Sequence, residues 1–277
     1  MKRTRLLWIL AVVLTIAAAY YQRITGPTYP LHVSTTINGK VILLELERSH
    51  GGDNSAIVQI KTGDPNVQGV LAWKRYKTDD EWTHMLMVAR EGFLRGELPH
   101  QPPAGKLEYR ITLLEGDHVV NVPAEGNVVM RFKGDVPLFI LLPHVIAMFG
   151  AMLLSTRAGL EFFNATPKLK TWIFWTLGLL VVGGMIFGPI VQKYAFGEFW
   201  TGWPYGTDLT DNKTLIALLG WIAAAVALYK SRHPKVWALG AALLLFVVYL
   251  IPHSVWGSEI DYAKTEKRAP AEQSAPH

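Results

Sequence analysis

Hydrophobic positions along this chain follow two different periods. From Leu6 to Tyr20, and again in four runs after residue 135, apolar residues are nearly continuous. Between about Tyr29 and Lys133 they alternate with polar residues in short segments broken by turn residues. Continuous runs of this kind predict helices able to cross a hydrocarbon core of ~30 Å, and alternation predicts strands. The later runs cover 136–155, 171–191, 215–229 and 236–252, the third reaching full length only with its flanking residues. The alternating part contains the candidate strands Val41–Glu47, Ser55–Ile60, Gly69–Tyr76, Trp82–Ala89, Phe93–Leu98, Lys106–Leu114 and Asn127–Phe132, with Ile37-Asn38-Gly39-Lys40 as a hairpin turn.

Together these periods predict a multi-domain membrane protein in which an all-β module precedes a transmembrane bundle. Residues 1–22 are a signal anchor or a signal peptide, 29–133 the β module, 136–256 four helices with an aromatic loop at 193–214, and 258–277 a disordered tail. Seven strands in roughly 105 residues resemble an immunoglobulin or fibronectin-type sandwich. That resemblance implies Trp73 as the aromatic between the sheets and Tyr109 at a tyrosine corner.

Charge then orients the chain. The Lys2–Arg5 cluster, the Arg157–Lys170 stretch and the Lys230–Lys235 stretch all belong in the cytoplasm, and five crossings satisfy all three. The β module, the aromatic loop and the C-terminus then lie outside the plasma (inner) membrane. The formal charge of +5 is concentrated beside apolar runs as topology signals, so the bilayer and other membrane or extracytoplasmic proteins are the expected partners, and nucleic acid is not. With no Cys in 277 residues, disulfides, thiolate metal sites and cysteine-attached haem are excluded. Hydrolase, P-loop, zincin and dinucleotide motifs are missing, and nothing in the sequence defines an enzyme.

Two histidines lie at membrane depth or its edge. His144 follows Pro143, and His253 follows Pro252. Ionisable groups at such positions are expensive and point to function. Between them, Phe196–Thr214 is rich in aromatic residues, Gly and Pro, which suits a membrane interface, a ligand or neighbouring helices. Asp211 or Thr210 is a candidate N-cap for the helix that follows.

The segment Trp200-Thr201-Gly202-Trp203-Pro204-Tyr205-Gly206-Thr207-Asp208 and the helix after it resemble the tryptophan-rich loop of the haem-handling proteins of cytochrome c assembly. The resemblance implies a b-type haem on the outer side, with His144 and His253 as its metal ligands and Trp200, Trp203, Tyr205 and Asp208 around it. Two readings follow: a redox or haem-handling membrane protein with one outer-side aromatic pocket, or an accessory or assembly subunit whose β module binds an extracytoplasmic partner. A transporter has less basis, because no repeat or charged pathway is visible.

Overall fold

The computed structural model describes residues 2–165, 167–252, 257 and 259–262. His253 and residues 263–277 therefore lie outside the described residues. The chain divides into two compact units, one formed by Met1–Pro27 with Val136–Ser258 and the other by Thr28–Asp135 with the residues from Glu259 onward.

In the first unit, α1 (Lys2–Thr25) packs on α2 (Leu138–Leu160) and α6 (Pro234–Leu250), burying Leu7, Ala11 and Ala18. The second predicted run is a single apolar rod in three parts: α3 (Leu169–Leu180), a π-helical stretch (Val181–Phe187) and α4 (Gly188–Phe196). It is followed by α5 (Leu209–Lys230). Among the described residues, four helical stretches are long and apolar enough to cross a membrane, and α6 is a shorter apolar helix of 17 residues.

The bundle core is built from small residues. Ala151, Ala158, Ala217, Ala224, Ala238 and Ala242 pack around Trp221 and Ile173. Small side chains let apolar helices approach closely, and dispersion contacts then hold them together. At the end of the bundle where α2 stops, a charge pair is enclosed. Arg157 Nη2 lies 2.7 Å from Glu161 Oε1, with both side chains 1% exposed. The guanidinium carbon is 5.5 Å from the Trp8 ring centre and 5.8 Å from that of Trp172. Glu161 also accepts from Asn164 Nδ2, the Lys168 amide and Trp172 Nε1. The carboxylate side of the pair is thus satisfied, whereas Arg157 Nε and Nη1 are buried without a hydrogen-bond partner among the described residues and lie beside the Trp8 and Trp172 rings.

Among the described residues, the second unit has eleven strands in three sheets. These are β1 (Leu31–Ile37), β2 (Lys40–Leu46), β3 (Ser49–Gly51), β4 (Ala56–Lys61), β5 (Gln68–Arg75), β6 (Thr83–Leu86), β7 (Val88–Arg90), β8 (Phe93–Leu98), β9 (Lys106–Glu115), β10 (His118–Val122) and β11 (Val128–Lys133). The largest sheet runs β3-β11-β9-β5-β6 with β10 also on β9, and β3 is parallel to β11. A second sheet is β4-β8-β7, and β1 pairs with β2 alone. The β1–β2 turn is the expected one, with Asn38 at φ 48° and Gly39 at φ 76°, the left-handed pair a two-residue hairpin requires. Alternation explains the core, as β4 buries Ala56, Val58 and Ile60 and exposes Ile57, Gln59 and Lys61.

Several expectations change here. The predicted strand Trp82–Ala89 is two strands, β6 and β7, that join different sheets. Trp73 is only half-buried against the core, and Tyr109 and Phe132 are its enclosed aromatics. The Tyr109 hydroxyl donates to the carbonyl of Glu47, 2.8 Å away and 62 residues upstream, so it ties two distant segments instead of forming a local corner. The start of the expected disordered tail is held in place. Ile260 N–H donates to Ala104 O, Tyr262 is buried and accepts from Lys106 N–H, and Glu259 pairs with Lys77 and Lys106. Two lysines facing one carboxylate, with an aromatic ring to bury, explain why Glu259–Tyr262 are ordered.

Candidate functional site

The aromatic loop is built by its two flanking helices. α4 ends on Gly197 at φ 88°, a left-handed position, whose N–H donates to Lys193 O. α5 begins earlier than the apolar run suggested because Asp208 caps it, accepting from Thr210 N–H at 2.7 Å. That role was expected of Asp211 or Thr210. The Asp211 carboxylate instead holds the loop: Oδ2 accepts the Thr201 amide at 2.7 Å, Gln192 Nε2 at 3.1 Å and the Thr201 hydroxyl at 3.3 Å. Asn212 Oδ1 accepts the Trp203 amide at 2.7 Å, and Trp200 Nε1 donates to Trp203 O. Asp208 N–H donates to Thr201 O, closing the loop on itself. The loop is thus tied down from its polar side. Its rings face outward, with Trp203 69% and Tyr205 84% exposed, and Trp200 partly buried.

His144 sits elsewhere in this unit, six residues into α2 and roughly 9 Å along its axis. Its Nδ1 lies 2.9 Å from the carbonyl of Gly183 in the π-helical stretch. A carbonyl only accepts, so Nδ1 carries a proton; half-burial in an apolar wall disfavours the imidazolium, and the neutral ring presents Nε2 as a bare acceptor. The π stretch makes this bond available: its wider turn sends the Gly188 N–H to Gly183 O and displaces the carbonyl from α-helical register. Close approach is needed as well. A Cβ on Gly183 would sit 2.9 Å from Ala147 Cβ and 3.0 Å from Met148 Sδ, and one on Gly184 would sit 2.8 Å from Thr214 Cγ2. Only glycine at both positions lets α2 and α5 pack against this stretch.

His144 lines a cavity of about 290 Å³. The wall comes from the last turns of α1 and α6, the first turns of α2 and α5, and α4, and includes Gln22, Met148, Phe149, Lys213 and Tyr249. Most of its polar atoms are engaged within the bundle. Gln22 Nε2 donates to Tyr249 O, the Tyr249 hydroxyl to Met148 O, and the Thr214 hydroxyl to Thr210 O. Lys213, 4% exposed, donates to Ile251 O at 2.6 Å. No carboxylate among the described residues forms an ion pair with it, and two of its ammonium protons have no partner there.

Of the residues singled out in the sequence, the fold brings Trp200, Trp203, Tyr205 and Asp208 into one loop and puts His144 on the cavity wall. None of those four loop residues lines the cavity, and His253 lies outside the described residues. No group of three or more metal-ligating side chains occurs among the described residues. Lys213 and Gln22 were missed because the apolar runs ended before them. The available signal was a lone Lys at the start of an apolar run and a Gln continuing the N-terminal one.

Fold and site together define a class: a β module joined to an apolar helical bundle, with a largely apolar cavity whose polar wall groups include His144 and Lys213. Comparison with protein-family models, curated proteins and solved structures finds no match for this chain.

Proposed function

We propose that this chain is a multi-pass membrane protein that binds a small amphiphilic molecule in the cavity at the extracytoplasmic end of its bundle. The cavity carries the reading. It is apolar except where His144 and Lys213 offer unused hydrogen-bonding capacity, the composition of a small-ligand site, and its volume lies at the lower end of the usual range. Burying an ammonium is costly; the Asp208 carboxylate offsets part of that cost for Lys213, and an oxygen-bearing head group would offset more. An apolar tail would leave along the lipid-facing helices.

Sidedness is supported by charge and by chain parity. Arg157 in the last turn of α2 is followed by Lys168 and Lys170, and Lys230 at the end of α5 by Arg232 and Lys235, as expected of cytoplasmic turns. Four crossings after the β module return the chain to the side it left, which agrees with Glu259–Tyr262 belonging to the β unit. We read that unit as an immunoglobulin-like sandwich, because the β3-β11-β9-β5-β6 and β4-β8-β7 sheets share one core.

A second reading, a b-type haem on His144, is favoured by one observation. The Nδ1 bond to a carbonyl is how ligating histidines are usually oriented. Its mark would be a Soret band in the purified protein that His144→Ala removes.

The primary reading is tested with a photoreactive alkyl amphiphile on the full chain in membranes. Adducts should concentrate on residues 141–149, 213–214 and 248–249, and Val145→Trp, which fills the cavity from its rim, should remove them. Adducts spread evenly over the lipid-facing surfaces and unchanged in that variant would refute it.

A further inference from the structure

We infer that the molecule held in this cavity carries a hydroxyl at its buried end, donated to His144 Nε2, beside an acceptor oxygen that receives the Lys213 ammonium; this rests on the amphiphile-binding reading above. Hydrogen-bond polarity selects the head group. The Gly183 carbonyl fixes the proton of the neutral ring on Nδ1, so Nε2 has a lone pair and no hydrogen to give. No described group donates to it, and it is not enclosed.

Lys213 imposes the opposite demand. Its ammonium offers only donors, and Ile251 O takes one of them. A carboxylate or phosphate head would satisfy Lys213 but turn lone pairs towards Nε2. An ether or ester has no proton for Nε2 either. A phenol, hydroquinone or alcohol has a proton for Nε2 as well as an oxygen that accepts. The walls suit such a molecule: Phe149, Tyr249 and Met148 provide apolar, polarizable surface around the polar end.

Gly188 keeps the edge of the imidazole clear. The nearest ring atom, Cε1, would be 3.8 Å from a Cβ placed there, so Gly188 itself adds no side chain over that edge. The same ring that locks α2 to the π stretch through Nδ1 thereby offers its second nitrogen to a ligand.

The experiment uses the full chain in lipid nanodiscs and measures equilibrium binding of para-octylphenol, its O-methyl ether, octylhydroquinone, an aliphatic alcohol of similar length and the matching carboxylate. The phenol should bind about tenfold more tightly than its ether, the ratio expected for one satisfied buried acceptor. His144→Phe should bring the two together while still binding the ether, which also shows that the variant is folded. Phenol and hydroquinone binding more tightly than the alcohol identifies an aromatic ligand, and the reverse order an aliphatic one; both agree with the inference. Equal binding of phenol and ether, or a preference for the carboxylate, overturns it and leaves the amphiphile reading intact. Binding of none of the five overturns both.

Discussion

Asp211 shows how one side chain can decide the state of a loop. Its carboxylate oxygen gathers the Thr201 amide, the Thr201 hydroxyl and Gln192, all from the chain before α5. Replacing it with Ala leaves those donors without their charged acceptor, a loss of about 2 kcal/mol. Exchange of the Thr201 amide should then be roughly 30-fold faster in Asp211→Ala, with a smaller change in Asp211→Asn, which keeps an acceptor but loses the charge. Unchanged exchange in both would mean the loop is held by something else. The sequence pointed to Asp211 or Thr210 as the cap of α5, and Asp208 takes that role instead, because the loop path from Gly202 to Thr207 turns the Asp211 carboxylate to Thr201 and Gln192.

At the scale of elements, the π stretch is the feature that linear pattern conceals. Val181–Phe187 is as apolar as its neighbours, and helical periodicity over a continuous apolar run carries no mark of a wider turn. The Gly183–Gly184 pair was the available clue, since adjacent glycines within an apolar helix mark close packing. Adding a methyl at Gly183 forces it against Ala147 and Met148 and shifts the carbonyl that holds His144. Gly183→Ala should therefore destabilise the full chain by about 1–3 kcal/mol in denaturant unfolding. An unaltered midpoint would show that the stretch can yield without cost.

The strands were legible for a different reason. Alternation survives in β2, β4, β8 and β9, so burial on one face is written into the sequence. It fails at β3 and β7, which have three residues each and owe their existence to neighbours: β3 lies parallel to β11, and β7 completes the sheet edge beside β8. A distant partner leaves no local signature. The Tyr109–Glu47 bond is invisible for the same reason.

The segment after α6 acts at the scale of the whole molecule, because it fastens the chain end to the β unit. Burial opposes charge on Glu259, but hydrogen bonds from Lys106 and Lys77 outweigh it and hold the carboxyl below its ordinary value of 4.5. A carboxyl depressed in the folded state adds stability that is complete above its unfolded pKa and fades as pH falls through the lower folded value. Protection of the Ile260 amide, corrected for intrinsic exchange, should fall as the solution is acidified below about 4.5, and Glu259→Gln should flatten that dependence. A pH-independent wild type would contradict the assignment. The chain contains no Cys, so single introduced cysteines report sidedness against a clean background. A thiol at position 91 should react with a membrane-impermeant maleimide from outside, and one at position 232 only after permeabilisation; the opposite order would invert the topology.

The central question is whether the cavity is a ligand site in the protein as the cell makes it. Native mass spectrometry of the full chain released from its own membrane tests this directly. One bound amphiphile per chain is predicted for the wild type, with the adduct lost in Val145→Trp. A bare wild-type mass, or an adduct that the cavity-filling variant keeps, would contradict it.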